Sequence, residues 1–374
     1  MFEALSLEAL QLYWWAIVSL LGGLFVFMMF VQGGQTLIFS VPKSEIEKSM
    51  IINSLGRKWE LGFTTLVLFG GACFAAFPLF YATSFGGAYW VWMAILFCFI
   101  IQAVSYEYRK KPDNFLGQRT YEVFLFINGS LGVFLLGVAI STFFSGSEFL
   151  LSENNFVEWQ NPLRGLEALA NPFNYLLGFS LFFLARITGG MYLINTIEHK
   201  ELQKRLRKSV VFNTIPFLVF FLGFLGWILT KDGFGIVDGR VEMVPYKYLL
   251  DYIDMPYLGV LLLLGVGLVL LSFYNTIIRD KNSCIITMSI GVVITVTMIL
   301  VALGVNNTSF YPSTSDLQSS LTIANASSSQ YTLTVMGYVS LLVPFVLAYI
   351  AYVWRLMNKE PITEDEINSE HHSY

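Results

Sequence analysis

The chain has 374 residues, of which 55 % are hydrophobic, 16 % aromatic and only 13 % charged. A soluble domain carries about 25 % charged residues, so half that value leaves too little polar surface to cover a globule in water. An ordinary cytosolic enzyme, a nucleic-acid binder and a disordered chain are excluded, and a polytopic membrane protein is expected.

A bilayer-crossing helix needs about 20 mainly apolar residues. Nine runs reach that length in chain order: 11–33, 61–84, 87–108, 121–144, 174–196, 211–230, 256–278, 283–304 and 331–356. They are continuously apolar, whereas a barrel strand would alternate over about 10 residues. The expected fold class is therefore an all-α integral membrane protein with nine transmembrane helices. The N-terminus has no basic stretch, only Glu3 and Glu8 before a run long enough to span, so it does not read as a signal peptide.

The positive-inside rule fixes an orientation. With the N-terminus outside, the inner segments hold 17 Lys and Arg residues and the outer ones only Arg164, Lys231, Arg240 and Lys247, with Arg186 left inside a span. The expectation is N-out, C-in. The outer loops 145–173, 231–255 and 305–330 are rich in Gly, Pro, Asn and Ser. Residues 198–209 read as a basic helix that continues span five into the cytosol, with Glu201 and Arg205 at i,i+4. The acidic tail 358–374, with His371 and His372, reads as disordered. The chain is thus one transmembrane domain, 1–374, with spans one to four in 1–144, five to eight in 174–304 and the ninth in 331–356.

No nucleotide loop, zinc motif or Ser/His/Asp set is present. Cys73, Cys98 and Cys284 fall inside apolar runs without Cys-x-x-Cys spacing, so no metal site is expected. Membrane haems are held most often by histidine, and none of the three histidines lies in a span. No catalytic residue is assigned to this chain.

Ionisable groups at membrane depth are costly and ask for a partner or a role. Glu60, next to Trp59, opens span two; Glu107 ends span three; Glu122 opens span four; Arg186 sits near the middle of span five. Carboxylates in a wet crevice relay protons when burial raises their pKa. That role is expected of Glu60 and Glu107. Interface pairing with Arg109, Lys110 or Arg119 is the plainer reading and is preferred for Glu122. Arg186 is expected to be a structural clamp, paired with a carboxylate or with carbonyls. Gly70-Gly71-Ala72 and Gly189-Gly190 are expected to let helices approach closely, and Pro78, Pro216 and Pro344 to kink their spans.

Two segments are less generic. One is Gly70-Gly71-Ala72-Cys73-Phe74-Ala75-Ala76-Phe77-Pro78-Leu79-Phe80-Tyr81-Ala82-Thr83; the other is the polar stretch from Ser319-Ser320-Leu321-Thr322 to Gln330-Tyr331-Thr332-Leu333, preceded by Tyr311-Pro312. Both resemble subunit II of the cytochrome bd quinol oxidase. The resemblance covers nearly the whole chain and is strongest at 50–110 and 305–350. It implies two four-helix bundles plus one extra span. It also implies a complex in the bacterial cytoplasmic membrane that oxidises quinol, reduces O2 to water and takes protons from the cytosol. The haem-bearing partner is subunit I, with b- and d-type haems; none is ligated by subunit II, although some members hold a structural quinone there. Membrane quinone and the bilayer complete the expected partners, with room for a small accessory subunit and no nucleic acid.

Carried over residue by residue, the family's Trp-Asp-Gly-Asn start of span two reads Trp59-Glu60-Leu61-Gly62. Its acid–aromatic–Arg step reads Glu107-Tyr108-Arg109, with Lys111 two residues on. With the resemblance, a proton path is expected on Glu60, Glu107 and Lys111 and interface or structural roles on Trp59 and Arg109, while the structural roles of Glu122 and Arg186 rest on the cost of a charge at membrane depth. The Asp-Gly-Phe-Asp of span one is absent, the region reading Val31-Gln32-Gly33-Gly34-Gln35, and an Arg of span three is Gln102. The rival reading is a secondary transporter. Against it stand the lack of an internal repeat and of a matched pair of Gly/Pro-broken spans.

Overall fold

The computed structural model describes residues 2–364 and 367. Among them, nine helical stretches are long and apolar enough to cross a membrane: Leu7–Gln35, Glu45–Ala76, Tyr89–Tyr108, Gln118–Ser145, Asn174–Thr196, Lys200–Thr230, Pro256–Ile277, Ile285–Gly304 and Gln330–Met357. In chain order the helices are α1 (Leu7–Met28), α2 (Phe30–Gln35), α3 (Glu45–Gly56), α4 (Trp59–Ala76), α5 (Pro78–Tyr81), α6 (Tyr89–Tyr108), α7 (Gln118–Ile127) and α8 (Val133–Ser145). There follow α9 (Asn174–Thr196), α10 (Lys200–Thr230), α11 (Lys247–Asp254), α12 (Pro256–Ile277), α13 (Ile285–Gly304), α14 (Ile323–Ala326), α15 (Gln330–Ser340) and α16 (Val343–Met357). Two antiparallel hairpins, β1 (Phe149–Leu151) with β2 (Val157–Trp159) and β3 (Gly233–Val237) with β4 (Arg240–Val244), lie in the loops of the face that carries the N-terminus.

Helix starts follow local chemistry. Ser6, Ser44 and Ser329 accept from backbone N–H groups in the first turns of α1, α3 and α15, and His199 Nδ1 does the same for α10. Pro78 and Pro344 stand where a span breaks, between α4 and α5 and between α15 and α16; α10 runs on through Pro216. The basic segment belongs to span six and not span five. The chain leaves α9 at Thr196, and the His199 cap starts α10 at Lys200. Arg205 there pairs with Glu47 at 2.5 Å, across to α3.

Neighbours cut across chain order. α1 packs on α13 and α4, α2 on α9, and α9 on both α8 and α10. The α2–α9 crossing is the tightest: a Cβ at Gly33 would lie 1.8 Å from the Ala185 carbonyl oxygen, and one at Gly189 2.4 Å from Gly34 N. Gly70 and Gly71 make no comparable approach. A Cβ at Gly71 meets nothing within 4 Å, so that pair does not serve close helix packing within this chain.

The tail also differs from expectation in its first residues. Ile362 is buried and bridges Ile197, with Glu198 N donating to Ile362 O at 3.0 Å and Ile362 N to Thr196 O at 2.9 Å. His371 and His372 lie outside the described residues.

Candidate functional site

Of the buried charged residues, Glu47, Lys58, Arg109 and Glu122 lie at the face carrying the basic loops, while Lys247 and Asp251 pair with each other at the N-terminal face. α6 ends at Tyr108, and Asn114 holds the turn that follows. Its Nδ2 donates to Arg109 O at 3.0 Å and its Oδ1 accepts from Gly117 N at 3.0 Å. Gly117, at φ +79°, turns the chain back into α7. Arg109 and Glu122 are thereby brought face to face, at 2.8 Å from Nη2 and 3.1 Å from Nε to Oε1. Gln118 Nε2 donates to the same oxygen at 3.0 Å, and Lys48 reaches Oε2 at 3.2 Å from α3. Of the three cations offered by the sequence, Arg109 is the one beside Glu122; Lys48 was not foreseen. A crevice of about 480 Å³, lined by Phe39, Glu45, Lys48, Gln118, Arg119 and Glu122, ends at this carboxylate.

A file of uncharged polar side chains continues from the pair. Gln102, Tyr106 and Arg109 share one face of α6 at i, i+4 and i+7, a climb of about 10 Å at 1.5 Å per residue. Gln35 Nε2 donates to Tyr106 OH at 3.1 Å, and Gln32 Nε2 to Gln102 Oε1 at 2.9 Å, an oxygen that Asn128 also bonds. All four amide residues are buried. Asn128 begins a π-helical turn, Asn128–Gly132, inserted between α7 and α8. Among the described residues, Gln32 Oε1, Gln35 Oε1, Gln102 Nε2, Asn128 Oδ1 and Arg109 Nη1 lack hydrogen-bond partners. Buried polar atoms are normally paired, so these five atoms leave the file with unused hydrogen-bonding capacity. In the sequence Gln32, Gln35 and Gln102 stand out only as departures from a motif, and Asn128 not at all. Their signal was polarity inside apolar runs.

Glu60 and Glu107 lie elsewhere. Glu60 is exposed in the first turn of α4, where a carboxylate suits the helix dipole. Glu107 pairs with Lys111 at 3.3 Å, their side chains 61 % and 56 % exposed. The structure does not bring Glu60 into contact with that pair. Trp59 is half-buried and stacks on Tyr106 with ring centroids 5.9 Å apart, linking the Glu60 turn to the polar file.

Arg186 sits among neutral oxygens. Its Nε donates to Asn213 Oδ1 at 2.8 Å, its Nη1 to Thr36 Oγ1 at 2.7 Å, and its guanidinium lies 5.5 Å from the Phe182 ring centroid. It joins α9 to α10 and to the end of α2. Lys58 was missed as a buried group. It is fully buried, its Nζ has no hydrogen-bond partner among the described residues, and it lies 5.1 Å from the Trp354 ring centroid. Its place in a basic loop hid it. No group of three or more His, Cys, Asp or Glu that could hold a metal occurs among the described residues. An apolar cavity of about 350 Å³ runs between α1, α8, α9, α10, α12 and α13, with Phe25, Leu181, Phe217 and Val292 in its wall.

Among the described residues, nine spanning helices with buried charge pairs at both faces describe a polytopic helical membrane protein. The chain belongs to the family of cytochrome bd terminal oxidase subunit II, whose model matches residues 10–357. It is 28 % identical to cytochrome bd-I ubiquinol oxidase subunit 2 of Escherichia coli (strain K12), over 98 % of each chain. It is 27 % identical to cytochrome bd ubiquinol oxidase subunit 2 of Bacillus subtilis (strain 168), over 94 % of this chain and 98 % of the relative. The fold is that of a chain in the bd oxidase structure from Geobacillus thermodenitrificans, with a TM-score of 0.56 at 13 % identity, covering 94 % of this chain and 99 % of that one. Membership makes the protein a multi-pass subunit of a bacterial membrane oxidoreductase, in a complex that contains haems, a subunit I and access to membrane quinone. The transporter reading falls with it.

Proposed function

We propose that the chain is the haem-free second subunit of a bd-type oxidase that couples quinol oxidation to reduction of O2 to water. In this reading it supports the haem-bearing subunit I, with its N-terminus outside and its C-terminus in the cytosol. The names of its relatives support quinol as the reductant. The positions of its histidines support placing the haems on subunit I. The two-bundle grouping of its spans and a small accessory subunit are carried in the same reading.

Glu60, Glu107 and Lys111 line the cytosolic proton-uptake path. The observation that carries this is their exposure at the basic end of α4 and α6, where a partner subunit or water can meet them. Glu107 accepts protons from the cytosol, Lys111 pairs with it at 3.3 Å, and Glu60 stands at the start of the neighbouring span. Trp59, Arg109 and Glu122 hold the helices that present these groups, and Arg186 clamps α9 to α10 and to the end of α2. The apolar cavity suits the isoprenoid part of a structural quinone, with Phe25, Leu181 and Phe217 as its wall.

The test is turnover of the assembled complex carrying Glu60→Gln or Glu107→Gln. Quinol-driven oxygen uptake should fall several-fold while the haem spectra stay unchanged. Oxygen uptake at the parent rate in both variants would remove these residues from the path.

A further inference from the structure

The loops of the N-terminal face enclose a second, polar pocket of about 160 Å³, away from the charges described above. It lies between the end of α8, the start of α9, the β1–β2 hairpin and the first turn of α6. Glu148 and Glu167 both line it, together with Ser145, Asn174 and Tyr311. No Lys, Arg or His is among the described residues that line it.

The two carboxylates are held by neutral donors. Gly165 N donates to Glu167 Oε2 at 2.6 Å, and Asn161 Nδ2 to Glu148 Oε2 at 3.1 Å. Neither has an ion-pair partner among the described residues. Burial pushes the Glu167 carboxyl up, and the charge of Glu148 adds to the shift. Asn174 supplies an independent observation. It is only 1 % exposed, its Nδ2 donates to Ala168 O at 2.8 Å, and its Oδ1 has no partner. Ser145 Oγ is likewise unpartnered. A pocket with two uncompensated carboxylates and two orphan oxygens lacks a positive charge that accepts oxygen ligands.

We propose that this pocket is a divalent-cation site of the calcium type, with the carboxylates of Glu148 and Glu167 and the amide oxygen of Asn174 as its protein ligands. Hard cations take oxygen donors, and Ca²⁺ tolerates irregular geometry and completes its shell with water, whereas Mg²⁺ demands a near-ideal octahedron. The lack of a lining His or Cys disfavours zinc. Two carboxylates suit the weak affinity of extracellular calcium modules, about 10⁻⁴–10⁻³ M, on the face that the charge bias puts outside. The ion would tie α9 to the end of α8 and quench the repulsion between the two acids.

Trp92 and Trp159 also line the pocket, which makes Tb³⁺ luminescence the test. The complex of this chain with its haem-bearing partner is titrated with Tb³⁺ under tryptophan excitation, then with Ca²⁺. Saturable emission that Ca²⁺ displaces is expected, with apparent affinity weakened tenfold or more in Glu148→Gln and in Glu167→Gln. Absence of sensitised emission, or emission unchanged in both variants, overturns the site and leaves a water-filled pocket. If Glu167→Gln fails to assemble, judged by its haem spectrum, Glu148→Gln alone decides, because its side chain is exposed and its loss does not open the core.

Discussion

Arg109 and Glu122 meet at 2.8 Å with side chains 0 % and 2 % exposed, thirteen residues apart across the α6–α7 turn. Two charges so completely removed from water depend on each other. Taking one away leaves the other buried and unpaired, at a cost of about 3–5 kcal/mol, whereas replacing both with apolar groups is often nearly neutral.

The first prediction follows from that asymmetry. Arg109→Met and Glu122→Leu should each lower the thermal stability of the assembled complex. The double variant should recover part of the loss. Melting followed by release of haem absorbance measures it. Additive losses in the double variant would show that the two side chains act separately. Lys48 sharpens the expectation, since it remains beside Glu122 and softens Arg109→Met more than Glu122→Leu.

Helix contact gives the second. Gly33→Ala places a methyl group against the Ala185 carbonyl, and backbone cannot yield as a side-chain tip can. The cost should be at least the 1–3 kcal/mol or so typical of overpacking, read as reduced yield and a lower melting temperature. Gly71→Ala meets open space and removes a helix-interior glycine, so it should be neutral or stabilising by up to about 1 kcal/mol. Equal melting temperatures for the two variants would refute the packing assigned to α2 and α9.

The third concerns pH on the N-terminal face. Lys231, just beyond α10, has its ammonium 5.1–5.6 Å from the ring centroids of Trp227, Phe234 and Tyr248. Burial lowers it to about 8 from an ordinary 10.5, with Asp232 opposing. A depressed folded-state pKa means that stability from this group is present above the unfolded value and lost as pH falls through the folded one. Relative to Lys231→Met, the parent complex should therefore gain stability as pH rises from about 8 to 10.5. Melting curves of both proteins across that window read the difference. Parallel curves would mean that Lys231 stays as solvated as in the unfolded chain.

The nine spans were legible because apolar runs of bilayer length leave a helix as the one local solution that satisfies its own backbone. The resemblance was legible too, and the structure explains one part of it. The two diagnostic segments touch: Ser328 N donates to Ala76 O at 2.8 Å, beside a cluster in which Phe77 and Phe80 pack on Phe310. They pack together on the N-terminal face. That Glu122 has cationic partners accords with the expense of an isolated buried charge; Arg186, expected on a carboxylate or carbonyls, meets the side-chain oxygens of Asn213 and Thr36, with Thr36 O at 3.4 Å. Lys48 as a partner, Lys58 as a buried cation and the amide file could not be anticipated. Each is brought in by an element distant in the chain.

Hydropathy and motif are local properties read along the chain, and they suffice for the solvent this protein lives in, its apolar spans and its family. Which charges are buried and which amides face one another is a matter of how the helices assemble. Glu107 stays on the surface while Glu122, fifteen residues on, is buried against Arg109 at the end of a crevice. Those outcomes depend on how the α6–α7 turn and the α2–α9 crossing bring separate helices together, and desolvation is set by that assembly and not by the residue or its neighbours in sequence.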